Sequence, residues 1–312
     1  MYLAFDIGGS SIKYGLVTAE GEILEKSKIP TENNEEKFLK NFSSLIEDFK
    51  KRYPQIEGIG ISAPGIVSKE GVMTTFGALD KMHGFPLQET ISKLSGLEVS
   101  VINDGNAAAI SEKWLGAAKS MDNYIVMVLG TGVGGGIVIN GQVYQGSHGM
   151  AAELGWPLYH GITKSGDIER QSENFHSAIL TGLLRRYHSQ RDIFGKEEFL
   201  DDAAIFLEKV QEKDKLAVAV FKDYIQDLAL NLLNLFAIFD PEAILIAGGI
   251  SENRFFMESL EEAYQKLVES HGTLRFVNDL SLLGHIKSAQ LKNDAGLLGA
   301  TYVIQQKIKG LF

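Results

Sequence analysis

Apolar positions in this chain fall into short runs that stop at glycine and longer stretches that repeat every three or four residues. Residues 2–5, 12–18 and 23–26 are short β-rich runs parted by Gly8-Gly9 and Gly21, which predicts a three-stranded antiparallel meander. Phe38, Leu39, Phe42, Leu45, Ile46 and Phe49 then share one helical face, with Asn33 or Asn34 placed to cap it and Pro54 to end it. Residues 59–62 and 99–102 predict two further strands, which run into Ala63-Pro64-Gly65 and Asn103-Asp104-Gly105-Asn106. A helix over 107–118 follows the second of them.

The pattern then restarts. A buried strand at 124–129 meets the turn Gly130-Thr131-Gly132-Val133-Gly134-Gly135-Gly136, apolar residues return at 137–139, and Asn140-Gly141 signals a hairpin before 142–144. A stretch of mixed polarity extends to about 214. It gives way to a long helix through Leu228, Leu232, Leu235 and Phe239, a strand at 243–247 ending in Gly248-Gly249, and a helix over about 253–269. A strand near 281–286 and a helix over about 294–308 close the chain. Each half opens strand, glycine turn, strand, and continues with αβ units, so the expectation is a duplicated α/β fold with two glycine turns facing a common cleft.

The length of 312 residues favours two domains. The expected division is a small lobe over 1–119, joined by the terminal helix at about 295–312, and a larger lobe over 120–294. Gly296, Gly299 and Ala300 would let that helix pack closely on the first lobe. With 30 basic against 40 acidic residues the net charge is −10, which disfavours nucleic acid or an anionic membrane as partner. No apolar stretch reaches spanning length and no basic leader opens the chain, so a cytoplasmic protein is expected. The absence of cysteine excludes thiolate metal sites and thiol nucleophiles.

Glycine is the abundant residue, 33 against 6 prolines. Gly130 to Gly135 matches G-x-G-x-x-G, but that dinucleotide loop must open a helix and this one opens a strand. A Walker A loop is absent, since Gly195-Lys196 is followed by Glu197. What survives is a strand–turn–strand hairpin whose amides can wrap a phosphate, because glycines tolerate positive φ and let an anion approach.

Taken in order, Asp6-Ile7-Gly8-Gly9-Ser10-Ser11-Ile12-Lys13, Ala63-Pro64-Gly65, Asn103-Asp104-Gly105-Asn106, Leu129-Gly130-Thr131-Gly132-Val133-Gly134-Gly135-Gly136, Glu153-Leu154-Gly155-Trp156 and Ala247-Gly248-Gly249-Ile250 resemble the motif series of the ROK sugar kinases. The resemblance spans the chain and implies the actin/hexokinase/Hsp70 fold, two ribonuclease-H-like lobes around a cleft. By that resemblance Gly8, Gly9, Ser10, Ser11 and Lys13 form one phosphate loop of an ATP site. Gly130, Thr131, Gly132, Val133, Gly134 and Gly135 form the other, and Gly249 lies beside the adenosine. Asp6 would orient Mg²⁺ through water, as suits a hard cation that keeps several waters.

On local sequence Asp104 reads as a helix N-cap. The resemblance instead makes it the general base that accepts the proton of an attacking sugar hydroxyl. Gly65, Asn103, Glu153 and Glu169 match sugar contacts, Glu169 through Gly166-Asp167-Ile168-Glu169 and the later Ser172; solvated surface carboxylates are the alternative for the two glutamates. The implied reaction is transfer of the γ-phosphate of ATP to the 6-hydroxyl of glucose or a β-glucoside, with an N-acylhexosamine as the alternative substrate and a homodimer as the implied assembly. A repressor of the same family would carry a helix-turn-helix domain ahead of the first loop, where five residues precede Asp6.

One departure from the family pattern bears on the substrate. Many relatives carry a histidine where Trp156 stands and a following cysteine cluster that holds structural zinc. Here the segment 157–166 is short, Asp167 stands where the last cysteine is expected, and no zinc is expected. Trp156 either offers a flat platform to a sugar face or fills the space left by the metal, and His160 could replace the missing histidine. His83, His148 and His285 show no metal-ligand spacing.

Overall fold

The computed structural model describes residues 1–158, 166–191 and 199–311. The chain divides into two units, Met1–Ser120 with Gln142–Ala152 and Asn293–Phe312, and Met121–Gly141 with Glu153–Lys292.

In the first unit β1 (Tyr2–Ile7), β2 (Ser11–Val17) and β3 (Ile23–Pro30) form the predicted meander. β4 (Gly58–Ala63) and β5 (Glu98–Asn103) add in parallel on the other side of β1, so the sheet order is β3-β2-β1-β4-β5. β4 is buried along its whole length, as a central strand covered on both faces must be. α1 (Glu35–Arg52) turns Phe38, Phe42, Ile46 and Phe49 inward, and Phe42 stacks on Phe5 of β1 at 4.5 Å. Asn34 is its cap, accepting from the Lys37 amide at 3.0 Å, while lysine and arginine in the last turn suit the negative end of the helix dipole.

After α2 (Leu87–Ser95), α3 runs over Asp104–Trp114 rather than 107–118. Its start is set by Asn103, whose Oδ1 accepts from the Asn106 amide at 3.1 Å. Its end is set by Glu112, which takes the Ala117 amide on its carboxylate at 2.7 Å and the Gly116 and Ala118 amides on its carbonyl.

The second unit begins with β6 (Tyr124–Leu129) and β7 (Val133–Ile139). β7 starts inside the glycine run, with Gly134, Gly135 and Gly136 paired to Val128, Met127 and Val126, so the turn proper is only Gly130-Thr131-Gly132. The two-residue β8 (Gln142–Val143) follows. The mixed-polarity stretch contains the short α4 (Glu173–His176), a π-helical turn at Ile179–Leu184, α5 (Arg185–Arg191) and α6 (Ala203–Gln211). α7 (Lys215–Phe239) buries Leu228, Leu232 and Leu235, and β9 (Ala243–Ala247) pairs in parallel with β6.

Beyond α8 (Arg254–Ser270) lies α9 (Gly272–Asp279), which the sequence reading had not separated. The last strand, β10 (His285–Ser288), therefore falls later than 281–286 and pairs in parallel with β9. The strand sequence β2-β1-β4-β5, antiparallel then twice parallel, recurs as β7-β6-β9-β10. Duplication is thus visible in topology as well as in motif order.

α10 (Ala295–Ile308) returns to the first sheet. A Cβ at Gly60 of β4 would lie 2.2 Å from the Ala300 carbonyl oxygen, and one at Gly299 would lie 2.1 Å from that of Ala107 in α3. Backbone meets backbone at both crossings, a packing distance open only to glycine.

Candidate active site

The first unit holds Asp6, the loop at 8–11, Lys13, Gly65, Asn103 and Asp104. β1 and β2 place Asp6 opposite Lys13, whose Nζ lies 3.1 Å from Asp6 Oδ2, and Ser62 Oγ donates to Asp6 Oδ1 at 3.1 Å. A Cβ at Gly296 would lie 2.3 Å from Asp6 Oδ1, so α10 comes up against the carboxylate only because that residue is glycine. The loop is closed by the Gly8 amide on Ser11 O at 3.0 Å and by Thr31, which donates through its hydroxyl to Gly8 O at 2.6 Å and through its amide to Ser10 O at 3.1 Å.

Asn103 organises the end of β5. Its Nδ2 donates to Gly65 O at 2.9 Å and lies 3.1 Å from Asp104 Oδ1, while the Gly105 amide donates to the same Asp104 oxygen at 2.8 Å. Gly65 has φ +90°, and a Cβ there would lie 2.6 Å from Thr75 O. Asp104 is not the N-cap: Asn103 fills that position, and Asp104 is the first helical residue, exposed at the positive end of α3. Three residues named from the sequence, Gly65, Asn103 and Asp104, therefore form one hydrogen-bonded group.

The second unit holds the loop at 130–135, Glu153, Trp156, Glu169 and Gly249. A cavity of about 360 Å³ is lined by Gly130, Thr131, Ile179, Leu180, Ala204, Leu207, Gly249 and Ile250, together with Asp202 and Asn253. Mainly apolar walls with a few polar groups suit a flat heteroaromatic ring.

The glycines of both loops differ from the sequence expectation in one respect. None of Gly8, Gly9, Gly130, Gly132, Gly134, Gly135 and Gly249 has positive φ; the residue that does is Gly248, at +96°. Around Gly130, Gly134 and Gly249 a Cβ would meet nothing within 4 Å, whereas one at Gly135 would lie 2.4 Å from Leu154 Cδ1 and 2.6 Å from Val126 O. Glycine here gives room above the backbone at some positions and close packing at others, and it is not demanded by a left-handed backbone.

Glu153 is half-buried, and burial pushes its carboxyl above the usual carboxylate range. The Trp156 amide donates to Glu153 O at 3.1 Å, and Trp156 is 53% exposed. Glu169 lies exposed in a 3₁₀ turn over Ile168–Gln171 that is capped by Asp167, whose Oδ1 accepts the Glu169 amide at 3.1 Å. Ser172 Oγ donates to Glu169 O at 2.6 Å. His160 lies outside the described residues.

Sequence reasoning missed the wall supplied by Ile179, Leu180, Asp202, Ala203, Ala204 and Leu207, because no periodic signal runs through that stretch. The Asp202-Ala203-Ala204 start of α6 is nonetheless a cap signature, with Asp202 Oδ1 accepting the Ala204 amide at 2.7 Å. It also missed Asn174, whose Oδ1 accepts the Val133 amide at 2.8 Å inside the second loop.

Two glycine loops, an exposed aspartate at the head of the helix that follows β5, and a ring-sized cavity are thus present, and the family model for the ROK family matches residues 2–307. The chain belongs to the ROK family. A β-glucoside kinase of Listeria monocytogenes is 31% identical to this ROK chain over 97% of each sequence. Among solved structures, a protein of the same organism, provisionally named an N-acetylmannosamine kinase, superposes with TM-score 0.84 at 30% identity, covering 98% of this chain and 99% of the other. A ROK glucokinase from Streptomyces griseus, solved with glucose and AMPPNP, gives TM-score 0.78 at 26% identity over 98% and 99%.

Proposed function

We propose that this ROK chain is an ATP- and Mg²⁺-dependent kinase that phosphorylates the 6-hydroxyl of an aldohexose, glucose or a β-glucoside. The observation that carries the reading is Asp104, exposed as the first residue of α3, with Asn103 supplying the cap of that helix. In this reading the sugar 6-hydroxyl gives its proton to Asp104 as its oxygen attacks the γ-phosphorus. The bond from that phosphorus to the β-bridging oxygen breaks, and ADP carries away the electron pair. An ionised aspartate is a weak base, but phosphoryl transfer asks chiefly for alignment and charge stabilisation.

Gly8 to Ser11 and Lys13, together with Gly130 to Gly135, would hold the phosphates through backbone amides and one ammonium, with Gly249 beside the adenosine. Asp6 and Ser62 present hard oxygen donors, and no cluster of three metal-ligating side chains occurs among the described residues. That set fits an ion held mainly by phosphate and water, and Mg²⁺ so bound would neutralise the charge on the transferring group.

Gly65, Asn103, Glu153 and Glu169 would take the sugar hydroxyls. The half-exposed Trp156 favours a platform over a space-filling ring, which would be buried. A structural zinc has no thiolate to bind it. The flanks of the loop are joined instead by the protein's own bonds: Glu173 amide to Pro157 O at 3.0 Å, Asn174 amide to Gly155 O at 2.9 Å, and a bridge between Leu158 and Ser172.

The same reading carries a cytoplasmic homodimer acting on small molecules, with neither nucleic acid nor membrane as partner. No described helix is long and apolar enough to cross a membrane. A second reading, an N-acylhexosamine kinase, is favoured by the Listeria neighbour's provisional name. Coupled ADP release with glucose, cellobiose and N-acetylmannosamine, compared as kcat/KM, separates the two. Absence of sugar-dependent ADP release from every hexose, hexosamine and disaccharide tried overturns both.

A further inference from the structure

We propose that Asn174 is a positioning residue that couples the nucleotide loop at 130–133 to the sugar loop at 153–156, so that occupancy of one loop changes the affinity of the other; this rests on the kinase reading above. The side-chain oxygen of Asn174 accepts the Val133 amide at 2.8 Å, and its backbone amide donates to Gly155 O at 2.9 Å. Both loops are glycine where they pass this side chain. A Cβ at Gly155 would lie 2.0 Å from Asn174 Oδ1, and one at Gly132 would lie 3.1 Å from it.

The residues around Asn174 reinforce the link. Thr181 Oγ1 reaches both the Asn174 carbonyl, at 2.5 Å, and the Thr131 carbonyl, at 2.9 Å. The Ile179 and Leu180 amides, at the start of the π-helical turn, donate to Gly130 O at 3.0 and 3.3 Å. Leu154, next to Glu153, occupies the space above Gly135 that a Cβ there would fill. A shift of residues 153–156 onto a sugar therefore acts on β7 through Leu154 and on the Val133 amide through Asn174. Close-packed contacts of this kind carry displacement because there is no void to absorb it.

The expected signature is a coupling free energy between two ligands. Calorimetric titration of AMPPNP, with and without a saturating concentration of whichever of glucose, cellobiose and N-acetylmannosamine binds, reads it directly. In the wild-type protein the sugar should tighten AMPPNP by roughly fivefold or more, within the usual span of such couplings. Asn174→Ala should bring that ratio to within about twofold of one, and Asn174→Asp, which keeps an acceptor for the Val133 amide, should restore much of it. A merely structural residue would lower Tm and weaken both ligands with the ratio intact.

Should Asn174→Ala not fold, Thr181→Val, which removes the hydroxyl shared by the Asn174 and Thr131 carbonyls, is expected to cut the ratio at least about twofold. An unchanged ratio in whichever of these variants folds, or a wild-type ratio of one, overturns the coupling. A clear wild-type ratio without any ADP release would overturn the kinase reading and leave the coupling standing.

Discussion

The Asn103 amide lies 3.1 Å from the Asp104 carboxylate and donates to the Gly65 carbonyl at 2.9 Å, while the Asn103 oxygen caps the helix that Asp104 begins. Capping and chemistry are thereby divided between neighbours, and each can be removed without the other. Asp104→Asn should lower kcat by roughly 10²–10⁴, the usual worth of acid–base catalysis, with sugar affinity and Tm nearly unchanged. Steady-state kinetics beside calorimetric sugar titration checks this. Near-normal turnover in that variant would remove Asp104 from the reaction.

Asn103 itself should show the complementary behaviour. Asn103→Ala loses the cap oxygen and both donor contacts, and is expected to cost about 1 kcal/mol of stability, with a raised sugar KM. Asn103→Asp keeps an oxygen for the Asn106 amide but loses the donor to Gly65. Urea unfolding should therefore show stability largely recovered, while the KM defect persists. If both properties recover together, the donor role is wrong.

The glycines around the second loop should separate into two classes. At Gly130 a Cβ meets open space, so Gly130→Ala should leave stability within about 0.5 kcal/mol, as surface substitutions do. Its ATP KM should rise about tenfold, equivalent to about 1.4 kcal/mol, if that space belongs to the nucleotide. At Gly135 a Cβ would lie 2.6 Å from Val126 O, and Gly135→Ala should destabilise by about 1–3 kcal/mol through overpacking. Thermal melts paired with ATP titrations distinguish these outcomes, and equal Tm losses in the two variants would contradict the division.

Much of this was legible in the sequence because strand, turn and glycine are local signals. The meander at 2–30, the helix bearing Phe38 to Phe49 and the strand at 243–247 needed nothing beyond period and punctuation. The start of α3 was misplaced because Asn103 and Asp104 are both good caps, and only the Asn106 amide shows which one acts. The reason for the loop glycines was misread because crowding by Leu154 or Val126 comes from residues remote in sequence or across a strand pair. Asn174 was invisible for the same reason. An asparagine in a polar stretch carries no mark of the amide, 41 positions earlier, that it will accept.

Glu173 supplies the pH dependence. It is buried beside α7, where Asn231 Nδ2 donates to its Oε2 at 2.9 Å and Ser177 Oγ donates to the same oxygen. Burial pushes its carboxyl up to about 7; the nearby Asp227 adds to the rise, and the two hydrogen bonds and the Arg186 charge oppose it. Between pH 4.5 and about 7 the folded protein keeps a proton that the unfolded chain has released. With fewer protons bound in the unfolded state, stability falls as pH rises, by about 1.4 kcal/mol per unit and on the order of 3 kcal/mol across the window. Glu173→Gln keeps an oxygen for Ser177 and Asn231 without the charge. It should remove that slope and unfold at higher urea than the wild type at pH 8, with the two converging near pH 5. Parallel urea midpoints for both proteins across that range would show that Glu173 does not hold its proton in the folded state.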